Sequence, residues 1–260
     1  MPNQYGKKWT REETILAFDL YCNMPFSKVT KKNSRIIELA TLIGRTPDSV
    51  VFKIANLAHH DPKMIEKNIK GLSNTSKLDR IIVEEFFDNW EELSYQAKVI
   101  LAEYQKKQVQ DIVPIADLLD IPEGAYRDAL IKQRIGQYFF RNSVLMAYAG
   151  RCCVTGLNCS DLLVASHIKP WKDSDAKTER TNPSNGLCLN ALHDKAFDRG
   201  LITIDQNYRI VISTQLKNSG MDQDTKNWFG KYSGREIILP DKFLPGKDFI
   251  EYHNDVIFQG

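Results

Sequence analysis

A chain of 260 residues is long enough for one large domain or two smaller ones, each with a real core. Its hydrophobic fraction of 42% and charged fraction of 26% are those of an ordinary globular chain, which excludes fibrous and low-complexity classes. No apolar run approaches the roughly 18–20 residues that span a bilayer. The opening "MPNQYGKKWTREE" holds no apolar leader core, so a cytoplasmic location without a membrane partner is expected. Five cysteines form an odd, sparse set that does not suggest a disulfide framework. The formal net charge is only +2, but residues 1–70 carry a net +5, residues 71–125 a net −6 and residues 126–260 a net +3. Two basic parts flanking an acidic one can meet a polyanion, although solvated surfaces show swings of this size too.

In chain order, the first 60 residues read as three short helices. Thr10 and Glu13 have capping-box spacing, with Ile15, Phe18 and Cys22 following on one face. Asn33 suits the N-cap of "SRIIELATLI", and Gly44 suits its C-cap. Thr46 caps the third helix, with Pro47 in its first turn. Its apolar face is Val50, Val51, Ile54, Leu57 and Ala58, which directs Ser49, Lys53 and Asn56 elsewhere. Two helices joined by "GRT" look like a helix-turn-helix, whose second helix would present Ser49, Lys53 and Asn56 to a DNA groove. The loop "FSKVTKKN" adds Lys31 and Lys32 as phosphate contacts. A plain helical bundle with a solvated polar face fits the same residues.

Residues 77–107 are helical and acidic and read as a connecting region. "IVPIADLLDIPEG" places a boundary near 111–124, and a helix follows over 126–149. After residue 150 short β-type runs appear: "LLVASHI", "LITID" and "YRIVIS". The organisation expected is therefore a helical module over 1–70, an acidic helical region over 71–125, and a third part over 126–260. The fold class is α+β, mainly helical at first and mixed in the last part.

The candidate chemistry lies in that last part. In "LLVASHI", Pro170 follows too closely for the strand to continue, so His167 sits at the strand end. Side chains there reach a site while the backbone stays fixed. Asp194 and Asp198, at i and i+4 in "NALHDKAFDRG", share one helix face and repel. A divalent cation would remove that repulsion, and hard oxygen ligands suit Mg²⁺ or Mn²⁺. Pairing of Asp198 with Lys195 or Arg199 would also remove it. His193 is the other metal-ligand candidate, though its stripe with Phe197 equally fits a core histidine.

The segment "RCCVTG…LLVASHIKPW…NPSNGLCLNALHDKAFDRGLITI" closely resembles the HNH nuclease module, and within it the restriction-endonuclease-like branch. The resemblance covers roughly residues 150–205 and implies two strands and a helix around one metal ion, a ββα-metal fold. It puts His167 on the catalytic base, Asn185 on the middle Asn, and Asp194 on the metal-binding position nine residues later. Asp198 then matches a second ligand four residues beyond. Two departures stand out. Ser166 occupies the position before the catalytic His where most members have an acidic or His ligand. Cys152, Cys153, Cys159 and Cys188 do not form the paired motifs of a structural zinc, so none is expected. The segments "WTREETILAFDLY…" and "LPGKDFIEYHNDVIF" also resemble those attached to restriction-type members. Together these imply a metal-dependent DNA endonuclease acting on duplex DNA, of restriction or defence type, with Arg151, Lys169 and Lys172 contacting phosphates. One motif per chain suggests a homodimer for cutting both strands, with sequential nicking as the alternative. The alternatives are a DNA-binding protein with an inactive module and an RNA-directed nuclease.

Overall fold

The computed structural model describes residues 6–62, 75–112 and 124–260. The chain divides into two compact units, residues 1–139 and 140–260. Among the described residues no helix is long and apolar enough to cross a membrane.

The first unit is a helical bundle organised around helix α1 (Arg11–Cys22), which is buried nearly all round from Glu13 to Cys22. A helix apolar on only one stripe could not be enclosed this way; here Ile15, Leu16, Phe18, Leu20 and Tyr21 face several neighbours at once. Those neighbours are α2 (Ser34–Ile43), α3 (Pro47–His59), α4 (Lys77–Phe86) and α5 (Trp90–Gln105). The capping signals act as the sequence suggests. Thr10 and Glu13 exchange both bonds of a capping box. Asn33 and Thr46 cap α2 and α3, and Gly44 ends α2 in the left-handed region at φ 70°. The stretch read as an acidic connector is thus two helices packed on α1 within the same unit. The boundary expected near 111–124 falls mostly on residues 113–123, outside the described residues, whereas the two units divide at Phe139 and Phe140, inside α6 (Ala125–Ala147).

One orientation differs from the expected one. Lys53 does not project to a groove; it is 4% exposed and forms an ion pair with Asp79, Nζ to Oδ1 at 2.5 Å. The reason lies in the spacing. Lys53 stands three residues after Val50 and four before Leu57, so the helix turns it onto the core stripe with both. A buried ammonium needs a counter-charge, and Asp79, fully buried at the start of α4, supplies it. Ser49 and Asn56 are half-buried, while Lys31 and Lys32 are exposed and Lys31 lies 3.4 Å from Asp48.

The second unit holds a compact ββα core. Strand β1 (Leu163–His167) pairs antiparallel with β2 (Gly186–Asn190), in a register that places His167 opposite Gly186. Helix α7 (Ala191–Asp198) starts without a loop, because Asn190 ends β2 and also caps the helix through its side chain. Gly186 has no room for a side chain: an added Cβ would lie 2.4 Å from Val144 Cγ2 and 3.0 Å from Phe140 Cζ on α6. The missing side chain lets α6 pack directly over the end of the hairpin. Gly200, at φ +66°, ends α7 and is met by the Ile257 carbonyl where a Cβ would stand. A second hairpin, β3 (Ile202–Ile204) with β4 (Ile210–Ile212), and a C-terminal helix, α8 (Lys247–Tyr252), complete the packing. Thr214–Lys217 and Gln223–Asn227 form short helical turns between β4 and α8.

Asp79→Ala should cost about 3–5 kcal/mol in chemical denaturation, because it leaves the largely buried Lys53 ammonium without its counter-charge. Pairing it with Lys53→Met should restore most of that loss. A single variant as stable as the parent would show that the ammonium finds water instead.

Candidate active site

His167, Asp194 and Asp198 line one cleft of about 540 Å³ in the second unit, together with Ser166, Trp171 and Lys172. Each arrives from a different part of the ββα core. His167 ends β1, the two carboxylates stand one turn apart on α7, and Trp171 and Lys172 follow in the loop after the strand.

The imidazole of His167 is held on three sides. Phe140 stacks on it with ring centres 3.8 Å apart and planes 11° from parallel. Trp171 meets it edge-on at 5.6 Å. Nε2 lies 2.9 Å from the Arg180 carbonyl, which can only accept, so Nε2 carries the proton and Nδ1 is the basic nitrogen of the neutral ring. Burial pushes the pKa below its ordinary value, and the carbonyl pulls weakly the other way. His167 is therefore neutral at pH 7.

Asn185 fixes the loop that supplies this carbonyl. It is fully buried; Oδ1 accepts from the Lys169 amide at 2.8 Å. Nδ2 donates to the Lys169 carbonyl at 3.1 Å, Ser174 Oγ at 3.2 Å and the Glu179 carbonyl at 3.4 Å. Arg180 adds a clamp: Nε donates to the Trp171 and Ser174 carbonyls, and the guanidinium lies 5.4 Å from the Trp171 ring centre. The ring is oriented by the loop and the loop by Asn185.

The two carboxylates are half-buried. Burial pushes the Asp194 pKa up, offset by the Ser166 hydroxyl and Lys195. Burial likewise raises Asp198, and the negative charge of Asp194 raises it further. Ser166 Oγ is buried beside Asp194 without a hydrogen bond of normal geometry, yet close enough to favour the ionised carboxyl. Desolvated, mutually repelling carboxylates next to an orphaned hydroxyl form a donor set that fits one hard divalent cation. Among the described residues no three His, Cys, Asp or Glu side chains converge to form a closed cage.

Other candidates fall elsewhere. His193 is not on the cleft. It is 3% exposed, with Nδ1 3.0 Å from Asn190 Oδ1 and Nε2 3.1 Å from the Trp228 carbonyl, and it packs against Phe229 and Tyr232. One residue is about 100° of helix, which turns His193 to the core when Asp194 faces the cleft. Lys169 is engaged by Glu179, Nζ to Oε2 at 2.6 Å, and lies 5.2 Å from the Tyr252 ring centre. Arg151 is exposed and does not line the cleft, whereas Lys172 does. Lys195 and Arg199 line it as well, though the sequence reading singled out neither as a site residue. Their i, i+4 spacing is the same signal that marked the acids. His253 reaches the cleft wall from the C-terminal tail, stacked on Phe197 at 3.8 Å. Cys152, Cys153 and Cys188 are buried free thiols, and burial pushes Cys188 up to about 12.

Comparison with known families matches residues 152–205 to the HNH endonucleases. The matched segment contains β1, β2 and α7, and with them His167, Asn185, Asp194 and Asp198. It carries a nuclease signature, and nucleases of this kind typically use a divalent metal. A search of curated proteins finds no match to the chain.

His253 yields a pH test of the tail's packing. Burial lowers its pKa to about 4. The unfolded chain binds the proton near pH 6.5, so stability is complete above that pH and is lost as pH falls toward 4. The loss from this one group is about 3 kcal/mol. His253→Phe should flatten the pH dependence of the unfolding free energy over that window, and an unchanged slope would contradict the assignment.

Proposed function

We propose that this cleft hydrolyses phosphodiester bonds of duplex DNA in a metal-dependent endonuclease of restriction or defence type. The observation that carries the reading is the placement of a neutral, oriented imidazole and two repelling carboxylates in one cleft. Asp194 and Asp198, with the Ser166 hydroxyl beside them, would hold one Mg²⁺ or Mn²⁺, which supplies charge neutralisation at the phosphoryl and leaving oxygens.

The remaining work falls to the chain's own residues. Nδ1 of His167 accepts a proton from water as the water oxygen bonds to phosphorus, and the bond to the leaving oxygen breaks, that oxygen taking its proton from solvent water. The Arg180 carbonyl holds the other ring nitrogen, so the proton can arrive only at Nδ1. Phe140 and Trp171 keep bulk water off the ring faces. Lys172, Lys195 and Arg199 draw the phosphate backbone into the cleft. One cleft per chain cuts one strand at a time, so a homodimer would cut both strands in one encounter.

The test is incubation with duplex DNA in Mg²⁺, in Mn²⁺ and in chelator, beside a parallel RNA substrate. His167→Ala should lower the cleavage rate by about 10²–10⁴ while leaving DNA affinity nearly unchanged. Asp194→Ala should abolish the response to metal. The acid limb of the rate should lie at lower pH than for an ordinary imidazole, because burial disfavours the charged form of His167, while the raised carboxyls of Asp194 and Asp198 lose rate in the same direction as they protonate. Metal-independent cutting, or a His167→Ala variant as fast as the parent, contradicts the reading. Exclusive cutting of RNA replaces the substrate.

A further inference from the structure

The first unit contains a second built cavity, of about 690 Å³, within the roughly 300–1,000 Å³ range of small-ligand sites. It lies between α3 and the start of α4, and Trp9, Ser49, Phe52, Lys53, Asn56 and Asp79 line it. Phe52 is 59% exposed in the middle of α3, its ring available to a partner. Trp9 forms a half-buried second aromatic wall, with the Lys53 ammonium 4.8 Å from its ring centre.

The polar atoms of this cavity are only partly used. Lys53 has three N–H donors and, among the described residues, one acceptor, Asp79 Oδ1. Asp79 in turn accepts from Lys53 and from the Ser76 amide, which leaves lone pairs on both oxygens. Among the described residues Asn56 Oδ1 is buried without a hydrogen-bond partner. Such groups are costly in a protein interior unless something completes them. Aromatic walls call for a planar apolar face, while spare donors beside spare acceptors call for an edge carrying both. A sugar's puckered ring offers a C–H face but no planar one, a lipid chain lacks the edge, and a phosphate would meet the Asp79 carboxylate.

We propose that this cavity receives one unpaired or extruded nucleobase of the DNA substrate, stacked against Phe52 and Trp9 and read at its edge by Lys53, Asp79 and Asn56. The inference rests on the proposed nuclease function and names how the helical unit grips the substrate. It also replaces groove reading by the exposed face of α3, since Lys53 is withdrawn from that face. A base inside a duplex hides its edge in pairing, so the cavity selects a nucleotide that has left the stack.

The experiment uses the full chain in chelator, which stops metal-dependent cutting. Fluorescence anisotropy compares labelled duplexes that differ at one position: a single bulged A, C, G or T, or a bulged abasic residue. At least one bulged base should bind about tenfold more tightly than the abasic duplex, the scale of one base–aromatic stack. Phe52→Ala removes the stacking ring from an exposed position, and Ser49→Phe fills the cavity. Both should bring the preferred bulge to the abasic level. Equal affinity for all five duplexes, or an undiminished preference in both variants, overturns the proposal. Cutting of plain duplex in Mg²⁺ by the same preparation reports separately on the nuclease reading. Cutting without any base preference sinks the cavity alone. Base preference without cutting upholds the cavity and sinks the nuclease reading.

Discussion

The hydrogen bond from His167 Nε2 to the Arg180 carbonyl is the constraint on which the cleft depends. It fixes the tautomer and the plane of the ring, and so decides which nitrogen is basic. A backbone carbonyl keeps its place only if its loop does. The loop between β1 and β2 has little regular structure of its own, and the buried amide of Asn185 holds it at Lys169, Ser174 and Glu179. Helix α6 enters the same constraint from the other face. Phe140 can lie flat on the imidazole because Gly186 leaves no Cβ between the hairpin and the helix. Stacking, loop and strand pairing converge on one ring, which pre-organises it before any substrate arrives.

The acids of α7 follow a different logic. Their burial and mutual repulsion store a cost in the folded chain that a cation between them would offset. The departure at Ser166 suits this arrangement. A neutral hydroxyl beside Asp194 favours the ionised carboxyl without adding a third negative charge to a half-buried site. Lys195 and Arg199 alternate with the acids along α7 and its C-cap, so one short element presents both carboxylates and basic groups to the same cleft.

Much of this was legible in the sequence where local spacing decides. The caps at Thr10, Asn33 and Thr46, the strand end at His167 and the shared face of Asp194 and Asp198 each depend on residues within four positions. Charge misleads where it competes with spacing. Lys53 occupies a core position by helical geometry, and only Asp79, twenty-six residues away, makes that tolerable. His193 shows the same tension: its stripe with Phe197 pointed to the core, and its bonds to Asn190 and Trp228 put it there. The carbonyl of Arg180 and the tail histidine His253 were invisible, because backbone acceptors leave no mark in sequence and long-range packing has no period. The charge of the acidic stretch suggests a connector, yet Ile82, Val83, Phe86, Trp90 and Leu93 bury there against the bundle.

The central claim is that Asp194 and Asp198 hold one divalent cation beside His167. Soaking crystals of the full chain in Mn²⁺ and calculating an anomalous difference map locates the ion directly. The account predicts one strong peak within coordinating distance of both carboxylates, in the cleft that His167 lines, and no such peak in Asp194→Ala. A peak at His193 or the buried cysteines, or an empty cleft at saturating Mn²⁺, would contradict it.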